Sequence, residues 1–251
     1  MIISGKTQLI GLIGWPVSHS FSPAMHNAAA ADLGLDFVYV ALPVRPDAVE
    51  TAVRGLPALG FRGFNITVPH KQAIIPLLDE IEAGAQAIGA VNTVVIGERL
   101  SVNGGQLSVN GEQAFNLQSS IFNLAGYNTD WSGFLADLAS LGVGVGSRSC
   151  LVLGAGGSAR AAAYGLAQAD GQVQVLARRI EQAQQLVAEI APHVDGYGWL
   201  QAGDIGGLET AVQTITAPLI INTTPLGMSP HIETYIWPDE LAFPEGSFAS
   251  D

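Results

Sequence analysis

Gly154-Ala155-Gly156-Gly157-Ser158-Ala159 constrains the fold of this chain more than any other stretch. It separates an apolar run, Cys150 to Leu153, from an alanine-rich run, and a second apolar run, Val173 to Leu176, follows at βαβ distance. In that setting G-x-G-x-x-A is a dinucleotide fingerprint rather than a bare glycine motif. Gly154 permits the tight turn, Gly156 lets the backbone approach a pyrophosphate, and Ala159 lets the helix close on its strand. Free amides at the helix start, with the helix dipole, favour an anion. We expect Gly154, Ala155, Gly156, Gly157, Ser158 and Ala159 to hold a dinucleotide; a structural glycine turn is the alternative. The second strand ends Leu176-Ala177-Arg178-Arg179, without the acidic residue that holds the ribose 2′-hydroxyl of NAD. Guanidinium groups bind phosphate bidentately. Arg178 and Arg179 therefore favour NADP over a solvated basic turn.

Strand and helix signals alternate along the chain, which is the mark of an α/β protein. Strands are predicted over Gln8 to Ile13, Phe37 to Leu42, Phe61 to Val68, Val91 to Ile96, Cys150 to Leu153, Val173 to Leu176 and Leu219 to Asn222. Ser22-Pro23 reads as an N-cap with proline at the first helical position, and Gly34 as the stop of that helix. Further helices are predicted from Pro46 to Gly55, from His70 to Leu78, from Asp130 to Gly142, from Ser158, and from Glu181 to Ile190. The expected division is one α/β domain over 1–129 and a Rossmann-type domain over 130–251. Within the first lies a duplication: Leu100 to Gln106 is echoed by Leu107 to Gln113, and Ala114 to Leu117 by Ile121 to Leu124. Repeated Asn-Gly pairs break helices and favour hairpin turns. We expect a surface insertion over about 98–126, outside the chemistry.

Charge narrows the partners. The net charge is −12, which argues against nucleic acid or an anionic membrane, since both demand a basic face. No apolar run approaches membrane-spanning length, and the N-terminus lacks signal-peptide order. A cytoplasmic protein is the expectation. The lone Cys150 rules out intrachain disulfides and a cysteine-cluster metal site, and the five histidines lack ligand spacing, so no metal is expected. The four basic residues of the second half, Arg148, Arg160, Arg178 and Arg179, all fall in or beside the nucleotide unit.

Asn65-Ile66-Thr67-Val68-Pro69-His70-Lys71 is the second informative stretch. The chain has two lysines, Lys6 and Lys71, so a lysine just beyond a β-rich run is a candidate for chemistry. Residues two apart on a strand share a face. Asn65 and Thr67 can thus read a polyhydroxylated ligand while the ammonium handles its proton.

With these residues noted, the chain resembles the shikimate dehydrogenase family over nearly its whole length. The resemblance rests on Gly14-Trp-Pro-Val-Ser18-His-Ser20-Phe-Ser-Pro23 with His26-Asn27, Asn65 to Lys71, and Gly89-Ala-Val-Asn92-Thr93. Gly126-Tyr-Asn-Thr-Asp130, Gly154 to Arg160, and Asn222-Thr223-Thr224-Pro225-Leu226-Gly227-Met228 complete it. It implies an N-terminal substrate-binding domain, a cleft, and NADP-dependent reduction of 3-dehydroshikimate in aromatic amino-acid biosynthesis. It implies that Ser18 and Ser20 bind the substrate carboxylate and that Asn65, Thr67, Asn92 and Asp130 hold its hydroxyls. Lys71 and Asp130 would be the catalytic pair, and Thr223 and Met228 would lie at the cofactor. Reducing a ketone by hydride needs a proton donor at the developing alkoxide, which Lys71 can be. Taken singly, Ser18 and Ser20 also fit turn and cap positions, Asp130 an N-cap, and Lys71 a first-turn surface position.

Departures from the family pattern are the duplication, Ala177-Arg178-Arg179 where the family has Asn-Arg-Thr, and a chain that stops at Phe248-Ala-Ser-Asp251. The family continues there with a tyrosine and glycine near the cofactor, a glutamine at the substrate and a terminal helix. We therefore expect a C-terminally shortened form with exposed apolar surface. Competing readings are a shikimate/quinate dehydrogenase using NAD(P) and a non-catalytic relative that keeps the fold. The partners expected are the small-molecule substrate and, at most, a second copy of the chain.

Overall fold

The computed structural model describes residues 3–98, 108–109, 112–113, 122–195, 198–227 and 232–250. The chain forms two compact units, Met1–Glu82 with Val91–Tyr127, and Ala83–Ala90 with Asn128–Asp251.

The first unit runs β1 (Gln8–Gly14), α1 (Ser22–Asp32), β2 (Phe37–Pro43), α2 (Val49–Gly55), β3 (Phe61–Ile66) and β4 (Glu80–Ile81). After α3 (Ala83–Ile88), which belongs to the second unit, come β5 (Thr93–Glu98), the short antiparallel pair β6 (Ser108–Val109) and β7 (Glu112–Gln113), and β8 (Phe122–Tyr127). Its sheet has the order β2-β1-β3-β5-β8-β4. Strand β1 is parallel to both β2 and β3, whereas β5 is antiparallel to β3 and β8. Strand β1, flanked on both sides by parallel neighbours, is buried from Gly11 to Gly14.

Three local expectations change. Phe21, not Ser22, occupies the N-cap of α1, and the Ser22 amide donates instead to Ser20 Oγ at 3.3 Å. Strand β3 ends at Ile66, short of Val68. The helix expected over His70 to Leu78 shrinks to one 3₁₀ turn, Ile75–Leu77. Pro76 has no amide to donate and its ring clashes with the preceding turn, while the Lys71 carbonyl accepts the Val91 amide at 2.8 Å. The duplicated segment lies largely outside the described residues.

The second unit continues with α4 (Asp130–Ser140), β9 (Ser149–Leu153), α5 (Gly157–Gln168), β10 (Gln172–Ala177), α6 (Ile180–Ile190), β11 (Trp199–Asp204), α7 (Leu208–Gln213), β12 (Leu219–Asn222) and β13 (Phe248–Ser250). Its sheet is wholly parallel in the order β11-β10-β9-β12-β13. From β9 the chain winds outward to β10 and β11 and then returns to the other side. The crevice between β9 and β12 is therefore a topological switch point, where ligands of such sheets bind. Helices α3, α4, α5 and α6 pack one core with this sheet, centred on Val152, Leu166, Val173, Leu186 and Ile221. Trp131 of α4 meets Tyr164 of α5 edge to face at 5.4 Å. Ile232, Tyr235 and Phe243 are exposed on this unit.

The division differs from 129/130 in two respects: the second unit resumes at Asn128, and it includes Ala83–Ala90. Helix α3 buries Ala85, Ala87 and Ile88 and packs on α5 and α6. No helix among the described residues is long and apolar enough to cross a membrane.

Candidate active site

In the first unit the topology gathers the singled-out residues at one end of the sheet. β1 and β3 are adjacent and parallel, so the loops after them, Trp15 to Ser20 and Thr67 to Lys71, leave the same end; the Trp15 amide joins them by donating to the Val68 carbonyl at 3.0 Å. β5 runs the other way, which brings its first residue, Thr93, opposite Asn65. Asn92 adjoins it, its amide on the Tyr127 carbonyl at 3.0 Å and its carbonyl accepting the Ile66 amide at 2.8 Å.

Hydroxyl and amide groups fill this end. Ser18 is exposed, and Ser20 accepts a backbone amide, which leaves its hydroxyl proton to donate. Thr67 sets its methyl against Gly14, where an added Cβ would stand 2.3 Å from Thr67 Cγ2. Asn65 Oδ1 accepts from the Tyr39 hydroxyl at 2.8 Å, and Asn65 Nδ2 donates to the Asn92 carbonyl at 3.2 Å and to Thr93 Oγ1 at 3.0 Å. Thr93 in turn donates to Asn92 Oδ1 at 3.0 Å. Burial pushes the Tyr39 phenol up to about 12, so it stays a donor. Lys71 is half-buried.

Two residues of this end escaped the sequence reading. His70 is buried, with Nε2 2.7 Å from the Val44 carbonyl. A carbonyl only accepts, so Nε2 carries the proton and ties the loop after β3 to the one after β2. Tyr39 is also buried, stacked on His26 with ring centroids 4.4 Å apart, and Asn27 bonds both its amide and its carbonyl. Nothing in local spacing marks either residue, because their partners are distant in sequence.

In the second unit Asp130 opens α4 as a first-turn residue, and the N-cap is Thr129. The Asp130 amide donates at 3.0 Å to Oδ1 of buried Asn128, whose Nδ2 donates to the Ala90 carbonyl at 2.9 Å. Asn128 is a further residue missed, although it sits inside the Gly126–Asp130 run. At the switch point Gly154 has φ +121°, and a Cβ there would lie 2.6 Å from Thr223 Oγ1. The Thr223 hydroxyl and amide both donate to the Leu153 carbonyl, at 2.8 and 3.0 Å. Among the described residues, a Cβ on Gly156 would meet nothing within 4 Å and no side chain caps α5. Beside this turn is a cavity of about 560 Å³ lined by Asp130, Phe134, Ser158, Thr223, Thr224 and Gly227 among others.

The shikimate dehydrogenase substrate binding domain model matches residues 12–94. A shikimate dehydrogenase (NADP(+)) of Geobacter sp. strain M21 is 42% identical over 91% of this chain and 71% of its own length. The chain belongs to the shikimate dehydrogenase family. The crystal structure of shikimate dehydrogenase from Aquifex aeolicus has a TM-score of 0.78 at 36% identity, covering 99% of this chain and 79% of that one. Shikimate 5-dehydrogenase of Thermus thermophilus, in complex with NADP(H) and shikimate, has a TM-score of 0.74 at 33% identity, covering 97% and 77%.

As in this family, an α/β domain precedes a Rossmann unit, and the residues present fit NADP. The open space over Gly156 and the uncapped start of α5 suit a pyrophosphate. Arg178 and Arg179 are both exposed just past β10, where Arg179 Nε donates to Gln182 Oε1 at 3.1 Å. The carboxylate beside the end of β10 is that of Asp204 on β11, paired with Ala177, and its Oδ1 caps the Gly206 amide at 2.7 Å. The other two arginines of the cluster are structural. Arg148 donates through Nε and Nη2 to the Ala217 carbonyl, and buried Arg160 donates to the Ile88 carbonyl and to Glu189. Clustering in sequence overstated the cationic character of the site. Met228, expected at the cofactor, lies outside the described residues.

Proposed function

We propose that this chain is an NADP-dependent shikimate dehydrogenase of the cytoplasm, acting as monomer or homodimer, that interconverts 3-dehydroshikimate and shikimate in aromatic amino-acid biosynthesis. The observation that carries the proposal is the gathering of Ser18, Ser20, Asn65, Thr67, Lys71 and Asn92 at one end of one sheet. Donor hydroxyls for a carboxylate, amides for hydroxyls and an ammonium are the groups that a hydroxylated cyclic acid with a ketone demands.

Ser18 and Ser20 donate to the substrate carboxylate. Asn65, Thr67, Asn92 and Asp130 position its hydroxyls. Lys71 gives its proton to the oxygen that gains charge as the ketone is reduced, and takes one back in the reverse direction; Asp130 acts with it as the acid–base residues. Gly154, Ala155, Gly156, Gly157, Ser158, Ala159 and Thr223 would hold NADP, with Arg178 and Arg179 on the 2′-phosphate. When bound, the nicotinamide supplies or accepts the hydride.

The test follows reduction of NADP⁺ and of NAD⁺ with shikimate and with quinate, in the parent chain and in Lys71→Ala. NADP-dependent shikimate oxidation is expected, with kcat falling about 10²- to 10⁴-fold in Lys71→Ala, the usual contribution of a positioned acid or base. Faster NAD-dependent oxidation of quinate would overturn the assignment.

A further inference from the structure

We infer that Tyr39 is a positioning residue that anchors Asn65 Oδ1, the hydrogen-bond acceptor toward substrate, at the head of a one-way chain of hydrogen bonds running Tyr39 to Asn65 to Thr93 to Asn92. The inference deepens the assignment above and rests on Asn65 touching substrate there.

One group sets the direction of the whole chain. The Asn92 main-chain carbonyl has no proton, so the group of Asn65 that faces it at 3.2 Å must be the NH₂. That turns Asn65 Oδ1 toward Tyr39, whose hydroxyl then has to donate across the 2.8 Å contact. The second amide proton of Asn65 goes to Thr93 Oγ1, and the Thr93 hydroxyl passes its own proton to Asn92 Oδ1. Both amide protons of Asn65 are thereby engaged. The capacity left is one lone pair on Oδ1, which accepts a proton from a substrate hydroxyl and cannot donate one.

The surroundings hold Tyr39 to this task. It is 2% exposed, lies against His26, and has its backbone clamped by Asn27, so its hydroxyl has little freedom. Without that hydroxyl the amide keeps the sense set by the Asn92 carbonyl, but Oδ1 loses the contact that anchors its position.

Tyr39→Phe keeps the ring and removes only the donor. The KM for shikimate should rise about tenfold with kcat little changed, as for weakening the Asn65–substrate hydrogen bond equally in ground and transition states. The KM for NADP⁺ should stay where it is. A shikimate O-methyl ether at the hydroxyl that Asn65 reads should be discriminated against by the parent, and less so by Tyr39→Phe. In an Asn65→Ala background, Tyr39→Phe should add nothing. An unchanged KM in Tyr39→Phe, or a full tenfold effect persisting in Asn65→Ala, would overturn the inference. If the parent chain fails to oxidise shikimate, the assignment of function falls. The relay is then decided by NMR of the Asn65 side-chain amide. Slow exchange that is lost in Tyr39→Phe supports it, and identical spectra refute it.

Discussion

Arg160 is 4% exposed, so its charge has left water and must be met by the protein. The Ile88 carbonyl and Glu189 meet it, and Gly89 makes room, since a Cβ there would stand 2.7 Å from Arg160 Nη2. Arg160→Met removes the buried charge itself and should cost about 1–3 kcal/mol in urea unfolding, the scale of leaving the Ile88 carbonyl unmet. Glu189 is much more exposed, and Glu189→Gln keeps an acceptor for Arg160 while removing its counter-charge, so it should cost about 1–3 kcal/mol. The Glu189 carboxyl is held below its ordinary 4.5, first by the Gln185 hydrogen bond and then by Arg160. A lowered folded value means that the stability contributed is present above the ordinary value and is lost as pH falls through the lower one. As pH falls below the ordinary 4.5 the parent should therefore lose stability more steeply than Glu189→Gln. Parallel pH curves would remove Glu189 from the acid response. The sequence shows Arg160 inside a motif, but its acceptors are 72 and 29 residues away, which is why its structural role was not legible there. Tyr39, His70 and Asn128 were hidden for the same reason.

The β9–turn–α5 element separates two functions that one glycine pattern combines. Gly154 is required by the fold: its φ is +121°, and a side chain would meet Thr223 at the point where Thr223 bonds the end of β9. Gly154→Ala should cost about 1–3 kcal/mol through backbone strain alone. Gly156 has φ −84° and open space where a Cβ would go. Gly156→Ala should leave stability within about 0.5 kcal/mol, as expected at an unstrained exposed position, while NADPH affinity falls at least about tenfold because a methyl blocks the pyrophosphate. Denaturant titration with NADPH fluorescence titration distinguishes the two. Equal losses of stability and affinity in both variants would mean that the turn is structural throughout. This element was readable because apolar strand, glycines and alanine-rich helix are contiguous and carry their own steric logic. The span from His70 to Leu78 was misread as a helix because its local pattern omits the remote Val91 amide that takes the Lys71 carbonyl.

At the scale of the molecule, the alternation of strands and helices announced two α/β units, and a single cut at 129/130 leaves α3 with the first of them, whereas its contacts are with the second. A cut at 129/130 separates α3 from the core that buries Ala85, Ala87 and Ile88, and it removes Asn128, which bonds the Ala90 carbonyl. A fragment of residues 130–251 would expose the surface that covers Ile88, worth about 1.5–3 kcal/mol for that side chain alone. It would also take the Ile88 carbonyl from the Arg160 guanidinium, a further loss of about 1.5–3 kcal/mol for a hydrogen bond to a charged group. Against the roughly 5–15 kcal/mol of a typical domain, losses of that size should abolish or broaden its unfolding transition. A fragment joining 83–90 through a glycine–serine linker to 128–251 restores both contacts and should unfold cooperatively at higher urea. The two fragments, followed by circular dichroism and tryptophan fluorescence, decide whether α3 completes the nucleotide unit. A sharp transition of equal midpoint in both would show that it does not, and that the 129/130 boundary suffices.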